Sequence, residues 1–142
     1  MNILAPFLFA ILAGIFTTIE ATVNAKLGSI VTPKIATLHS LITGAIVILT
    51  INLIKGTLNQ YTKIIYVSPQ WLIGGVFGTF IIYFIAKTIP RLGVSTTLTI
   101  VIASQIISSL LIDVFIYKQH ELYLCKLLGV VFLLIGTFLI TK

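Results

Sequence analysis

Five long apolar runs account for most of the chain, and each is about as long as a helix that crosses a bilayer. A hydrocarbon core about 30 Å thick needs roughly 20 apolar residues in a helix. The strands of a membrane β-barrel instead alternate in hydrophobicity over about ten residues, and these runs do not alternate. The pattern predicts five transmembrane helices, over residues 3–23, 35–54, 70–88, 92–115 and 122–140.

The connectors between the runs are short and leave no room for a second, water-soluble domain. We therefore expect an all-α integral membrane protein with a single domain over residues 1–142. The first run has no basic segment before it and is longer than the apolar part of a cleavable leader, so we expect it to stay in the membrane. No internal repeat is visible, so the chain has the size of one repeat unit, half of a transporter built from two.

Composition supports a membrane protein and argues against several other classes. Among the 142 residues, 58% are hydrophobic and only 8% are charged, whereas about 25% is charged in soluble domains. The net charge of +6 comes from cations scattered among the helix ends. Cations in such places contact lipid headgroups, so we expect no nucleic-acid partner.

The sequence carries no motif of an enzyme or of a metal site. It has no H-E-x-x-H, no Cys/His nucleophile pair and no Gly-rich phosphate loop, which are the patterns that hydrolytic and nucleotide chemistry require. The single cysteine excludes an intrachain disulfide. We therefore expect neither an enzyme nor a bound metal or cofactor.

The distribution of cations between the two sides of the membrane is nearly even. With five spans, one side receives five cations and the other four, and orientation follows the asymmetry of Lys and Arg in short loops. The near balance favours dual topology, with two copies packed antiparallel. The alternative is that so small a difference carries no information. The two sets are Lys26, Lys34, Lys87, Arg91 and Lys142, and Lys55, Lys63, Lys118 and Lys126.

A carboxylate and an amide stand one helical turn apart in the first helix. Glu20 and Asn24 share one face, and Glu20 is one of only three acids in the chain. A charged side chain inside a membrane helix costs a few kcal/mol or more, so it usually faces a partner or a wet cavity. This pair predicts one wall of a substrate or proton pathway. The alternative is a glutamate near a helix end that reaches headgroup water or Lys26.

The fourth helix carries a polar stripe at i, i+4 spacing, which we expect to face the interior of the helix bundle because it suits lipid poorly. Its members are Thr97, Val101, Gln105, Ser109 and Asp113.

Helices one to four are expected to line the substrate or proton pathway. Gln105, near the middle of helix four, is the best neutral candidate for a hydrogen bond to substrate, although it could equally join two helices. The five predicted pathway residues are Glu20, Asn24, Ser40, Gln105 and Ser109. For Asp113 we expect a structural or orienting role, and His39 could titrate near neutral pH or simply be hydrogen-bonded. The three secondary polar residues are His39, Ser104 and Asp113.

Glycine pairs on two helices are candidates for close packing. Gly74 and Gly78 lie four apart on helix three, and Gly129 and Gly136 lie seven apart on helix five. Such spacing removes side-chain bulk from one face, so another helix or a second subunit can approach closely. The alternative is that membrane helices simply tolerate glycine.

Three segments carry a resemblance to a known family. W-L-I-G-G-V-F-G at 71–78, L-G-V-S-T-T at 92–97 and A-S-Q-I-I-S-S-L-L-I-D-V-F at 103–115 resemble the YdcZ-type family. Its members are small bacterial inner-membrane proteins of the drug/metabolite transporter superfamily. The resemblance covers nearly the whole chain and implies a five-helix half-transporter that works as a homodimer or as a pair with a paralogue.

Glu20 departs from the family pattern, which usually has an amide such as Gln at that place. A proton-carrying role for Glu20 therefore rests on physics, since a carboxyl group removed from water favours its protonated form. His39 also departs, because an amide or a small residue is expected there.

The best hypothesis is a proton-coupled secondary transporter that exports a small molecule by alternating access, as an antiparallel dimer in the bacterial inner membrane. Its expected partners are membrane lipid, a second copy or a paralogue, and a small-molecule substrate. One alternative is a passive channel of the same architecture, in which polar rings select an ion. Another is an accessory membrane subunit without a pathway of its own.

Overall fold

The computed structural model describes residues 4–115 and 124–142, and the regular structure within them is helical. The first two residues of the predicted span 122–140 lie outside the described residues. The α-helices, in chain order, are α1 (Leu4–Ile30), α2 (Pro33–Ile54), α3 (Gly74–Leu92), α4 (Val94–Phe115) and α5 (Leu124–Thr141). Two 3₁₀ helices, Leu58–Tyr66 and Pro69–Trp71, lie between α2 and α3.

Four helical segments are long and apolar enough to cross a membrane, as judged by length and composition. Their mean hydropathy lies between 1.7 and 1.9, and they are Leu4–Ile30, Pro33–Ile54, Pro69–Leu92 and Val94–Asp113. A shorter apolar helix, Leu128–Thr141, follows them. The all-helical membrane class is thus confirmed, and the fifth crossing stays a prediction.

The first helix is longer than predicted and continues to Ile30 instead of ending near residue 23. The next helix starts directly after it, because Thr32 is extended (φ −157°, ψ 155°) and is followed by Pro33. A residue before proline is disfavoured in helical conformation, and the Thr32 hydroxyl accepts a hydrogen bond from the Ile35 N–H at 3.2 Å. Glu20 therefore lies in the interior of α1 and not at its end.

The third helix is shifted toward the C-terminus relative to its prediction over residues 70–88. Pro69–Trp71 forms a 3₁₀ turn, so the α-helix begins only at Gly74. Pro90 lies inside the last turn of α3 and does not end the helix. Gly93 makes the turn into α4, with a φ of 82° that favours glycine.

The described residues divide into two compact units, within Met1–Arg91 and within Leu92–Lys142. In the first unit, α1 packs against α2, and in the second, α4 packs against α5. The single-domain organisation stays a prediction. The buried residues of these two helices are mostly small: Ala21, Asn24, Ala25 and Gly28 on α1, and Ala36 and Thr37 on α2.

Helices α1 and α2 approach each other closely at Gly28, a residue that the pattern along the chain does not single out. A Cβ atom there would lie 3.2 Å from the Pro33 Cα and 3.7 Å from the Ala36 Cβ. At the four predicted packing glycines, an added Cβ would meet nothing within 4 Å among the described residues. Those glycines therefore make no close helix contact there, and their role in a dimer stays a prediction. They are Gly74, Gly78, Gly129 and Gly136.

Candidate functional site

Three of the predicted pathway residues are joined in one hydrogen-bonded chain between α1 and α2. The Asn24 Nδ2 donates to the Ser40 Oγ at 3.1 Å, and the Ser40 Oγ donates to the Glu20 Oε1 at 3.2 Å. Glu20 and Asn24 are one turn apart on α1 and therefore share a face. The tight turn at Pro33 returns α2 along that face, which brings Ser40 beside both. We call these three residues the Glu20 cluster.

The hydroxyl of Ser40 is both an acceptor and a donor in this series of hydrogen bonds. Its single proton goes to Glu20, and its oxygen accepts from Asn24. An ionised carboxylate only accepts hydrogen bonds, whereas a protonated one also donates. The Ser40 hydroxyl can therefore stay hydrogen-bonded to Glu20 in either protonation state of the carboxyl group.

The Glu20 cluster runs from the interior of the first unit to its surface. Asn24 is buried, with 5% of its surface exposed; Ser40 is half-buried and Glu20 is exposed. The amide thus anchors the chain of hydrogen bonds, and the carboxylate is its accessible end.

Glu20 also lies near the middle of a membrane-length helix. The 27 residues of α1 span about 40 Å at a rise of 1.5 Å per residue, and Glu20 is close to the centre of that length. A carboxylate in the interior of a membrane helix is costly unless it faces a polar partner or water. Ser40 supplies one such partner from within the chain.

A small cavity of about 40 Å³ adjoins the cluster on the side of α3. A water molecule needs roughly 10–15 Å³ of such space, whereas pockets for drug-sized ligands measure about 300–1,000 Å³. The cavity has room for water but not for an organic substrate. The α3 wall is purely apolar, so no polar signal in the sequence marked it. The lining residues are Thr17, Glu20, Ala21, Asn24, Ile81, Ile82 and Ile85.

The remaining predicted polar residues lie apart from these hydrogen bonds. His39 precedes Ser40 on α2 but is exposed and makes no contact with the cluster among the described hydrogen bonds. Gln105 and Ser109 are exposed on α4, in the second unit, and Asp113 is half-buried there. Ser104 and Ser109 turn their hydroxyls to their own helix, at 2.8 Å from the Val101 O and 2.9 Å from the Ile106 O.

The polar stripe of α4 is buried at its beginning and exposed further along, in part contrary to the expectation that it faces the interior. Thr97 is 3% exposed, and its hydroxyl oxygen has no hydrogen-bond partner among the described residues. Gln105 and Ser109 are exposed. A long apolar helix with exposed amide and hydroxyl groups suits contact with a further polar surface better than contact with lipid.

The long apolar helices define a multi-pass membrane protein. The family model described as "Putative inner membrane exporter, YdcZ" matches residues 5–139, so the chain belongs to the YdcZ family. It is 26% identical over 148 aligned positions to the inner membrane protein YdcZ of Escherichia coli strain K12, covering all of this chain and 98% of that protein. No solved structure matches at a comparable level of significance.

Proposed function

We propose that this protein is a proton-coupled secondary transporter that exports a small cationic molecule as an antiparallel dimer, by alternating access. Export across the inner membrane agrees with the description of the family. The finer proposal rests on one observation, the hydrogen-bonded chain from Asn24 through Ser40 to Glu20. The five helices of residues 1–142 would form one half of the working transporter.

Coupling follows from the chemistry of a single carboxylate. An ionised Glu20 attracts a cationic group, and a proton competes with that cation for the same two oxygen atoms. Binding of one therefore releases the other, and exchange results when the two sides of the membrane differ in pH. Ser40 hydrogen-bonds to the carboxyl group in both states, since its hydroxyl can donate to the ionised form and accept from the protonated one.

A second copy would complete the site. Glu20 is exposed on the surface of one chain, near the middle of α1, and the cavity beside it is too small for an organic substrate. An antiparallel copy would cover the carboxylate and add a second wall near the bilayer midplane, which is a common arrangement in transporters. The nearly even division of cations between the two sides agrees with such a dimer.

Proton release from inside-out membrane vesicles tests the proposal. The vesicles are acidified by respiration, a pH-sensitive dye reports their interior, and ethidium is added as the cationic probe. We expect ethidium to release protons with saturable dependence on its concentration. Glu20→Gln should reduce this release to the level of vesicles without the protein, and the matched control Asp113→Asn should retain it.

Other results would contradict the proposal in recognisable ways. Ethidium uptake without proton release, unchanged in Glu20→Gln, would indicate a passive channel. Equal loss in Glu20→Gln and Asp113→Asn would remove the special role of Glu20. A purified protein that is inert in vesicles but active with a second membrane protein would indicate an accessory subunit.

A further inference from the structure

One end of the first unit carries a concentration of positive charge. Four exposed cations lie at the end of α1, the start of α2 and the end of α3: Lys26, Lys34, Lys87 and Arg91. The only acid among residues 1–91 is Glu20, which lies inside α1 and accepts from Ser40. No carboxylate of this unit therefore neutralises the cations at this end.

A cleft of about 280 Å³ opens between the start of α2 and the first half of α3. Lys34 and Thr37 line it from α2, and Thr79, Phe80 and Tyr83 line it from α3. Both threonine hydroxyls donate to their own helices, to the Pro33 O at 2.8 Å and to the Gly75 O at 2.9 Å. With those hydroxyls satisfied, the walls offer mainly methyl groups and aromatic rings to an occupant.

The face of α3 that lines the cleft becomes cationic toward the end of the helix. Thr79, Tyr83, Lys87 and Arg91 are spaced by four residues and share one face of that helix. The Lys87 Nζ lies 5.8 Å from the centroid of the Tyr83 ring, within the range of a cation–π contact. Lys87 lies beyond the lining residues, one turn past Tyr83 and about 12 Å along the helix from Thr79, and Lys34 lines the cleft from α2.

We propose that the cleft between α2 and α3 binds one anionic phospholipid. An acyl chain would lie against Phe80 and Tyr83, and the phosphate would lie between Lys34 and Lys87. Each cation near a membrane surface strengthens the binding of anionic lipid about fivefold. A zwitterionic lipid gains less, because its own ammonium group is repelled by the lysines. A free anion has no acyl chain that could contact the apolar walls of the cleft.

Quenching of a tryptophan in the cleft measures this binding. Trp71, the one tryptophan of the chain, is changed to Phe, and Phe80→Trp places the reporter. The protein is placed in phosphatidylcholine bilayers that contain an equal fraction of either brominated phosphatidylglycerol or brominated phosphatidylcholine. We expect stronger quenching by phosphatidylglycerol. Lys34→Gln with Lys87→Gln should lower its relative affinity by about fivefold for each cation removed, bringing it close to that of phosphatidylcholine.

The matched control is Lys55→Gln with Lys63→Gln, which removes two cations beyond the far end of α2 and should keep the preference. Any of three results would overturn the proposal. They are equal quenching by the two lipids, a preference for phosphatidylglycerol that survives without Lys34 and Lys87, and an equal loss of that preference in the control pair. Displacement of the quenching lipid by inorganic phosphate would also overturn it, in favour of a site for a free anion. The unsubstituted protein in detergent should gain Tm with phosphatidylglycerol over phosphatidylcholine, and no such gain would contradict the proposal independently of the reporter.

Discussion

At the scale of single residues, Ser40 is the residue on which the candidate site depends. It is the only side chain of the described cluster that contacts both other members, since it accepts from Asn24 and donates to Glu20. Without its oxygen, the buried Asn24 amide would lose its acceptor and the carboxylate its donor. A buried polar group without a partner costs more than the hydrogen bond itself contributes.

Ser40→Ala should therefore destabilise the protein by about 0.6–2 kcal/mol, measured as a lower Tm in detergent. Ser104→Ala serves as the matched control, because the Ser104 hydroxyl donates only within its own helix, and its loss should be nearly neutral. Ser40→Thr keeps the hydroxyl and should recover part of the stability. A Ser40→Ala protein as stable as the Ser104→Ala protein would show that the chain of hydrogen bonds contributes little.

At the scale of elements, the packing of α1 on α2 sets the register that forms the Glu20 cluster. Gly28 faces Ala36 where the two helices lie close together, and an added Cβ would lie 3.7 Å from the Ala36 Cβ. One turn further from the connection, Asn24 donates to Ser40. These two pairs are consecutive turns of one antiparallel contact, so the small residues at the first pair position the polar residues at the second.

Gly28→Ala should destabilise the α1–α2 contact, because the new methyl group would lie 3.2 Å from the Pro33 backbone. Overpacking of this kind costs about 1–3 kcal/mol and would be seen as a lower Tm. Gly14→Ala is the control on the same helix: nothing described lies within 4 Å of its added Cβ, and alanine favours the helix by up to about 1 kcal/mol.

The same pair of variants tests whether register and function are linked. Gly28→Ala should also weaken the proton release proposed above, since a shift of α2 would separate Ser40 from Glu20, whereas Gly14→Ala should leave that release unchanged. Equal Tm values for the two variants would contradict the close approach at Gly28.

At the scale of the whole molecule, large apolar side chains are exposed along every long helix. Such surfaces suit lipid or another apolar chain, and they agree with a multi-pass protein of the inner membrane. The polar groups exposed among them, Glu20 on α1 and Gln105 on α4, would gain from a polar partner. A second copy in the opposite orientation is the partner that the even charge distribution favours.

The orientation of the C-terminus tests this dimer directly. In a Cys125→Ala background, Lys142→Cys places one thiol at an exposed position, and intact cells are labelled with a membrane-impermeant reagent before and after permeabilisation. Dual topology predicts that about half of the thiol is reached from outside. Labelling of all or none of it would contradict the self-paired antiparallel dimer and would favour a paralogue of opposite orientation as the partner.

The sequence by itself determined the class of this protein, because long apolar runs without alternation are compatible with membrane helices and with few other structures. It also marked Glu20, Asn24 and Ser40, since polar groups in apolar helices are costly and rarely incidental. Motifs in residues 71–78, 92–97 and 103–115 pointed to the family that the comparison then confirmed.

Only the tertiary structure decided how these residues meet. The hydrogen-bond order from Asn24 to Ser40 to Glu20, the close contact at Gly28 and the continuation of α1 to Ile30 depend on the register between two helices. Helical periodicity places residues on a face, but it does not specify which face of the next helix lies opposite or at what height. The register between α1 and α2 follows from the packing of small side chains beside the turn at Pro33. This packing cannot be predicted from the residue pattern along a single helix.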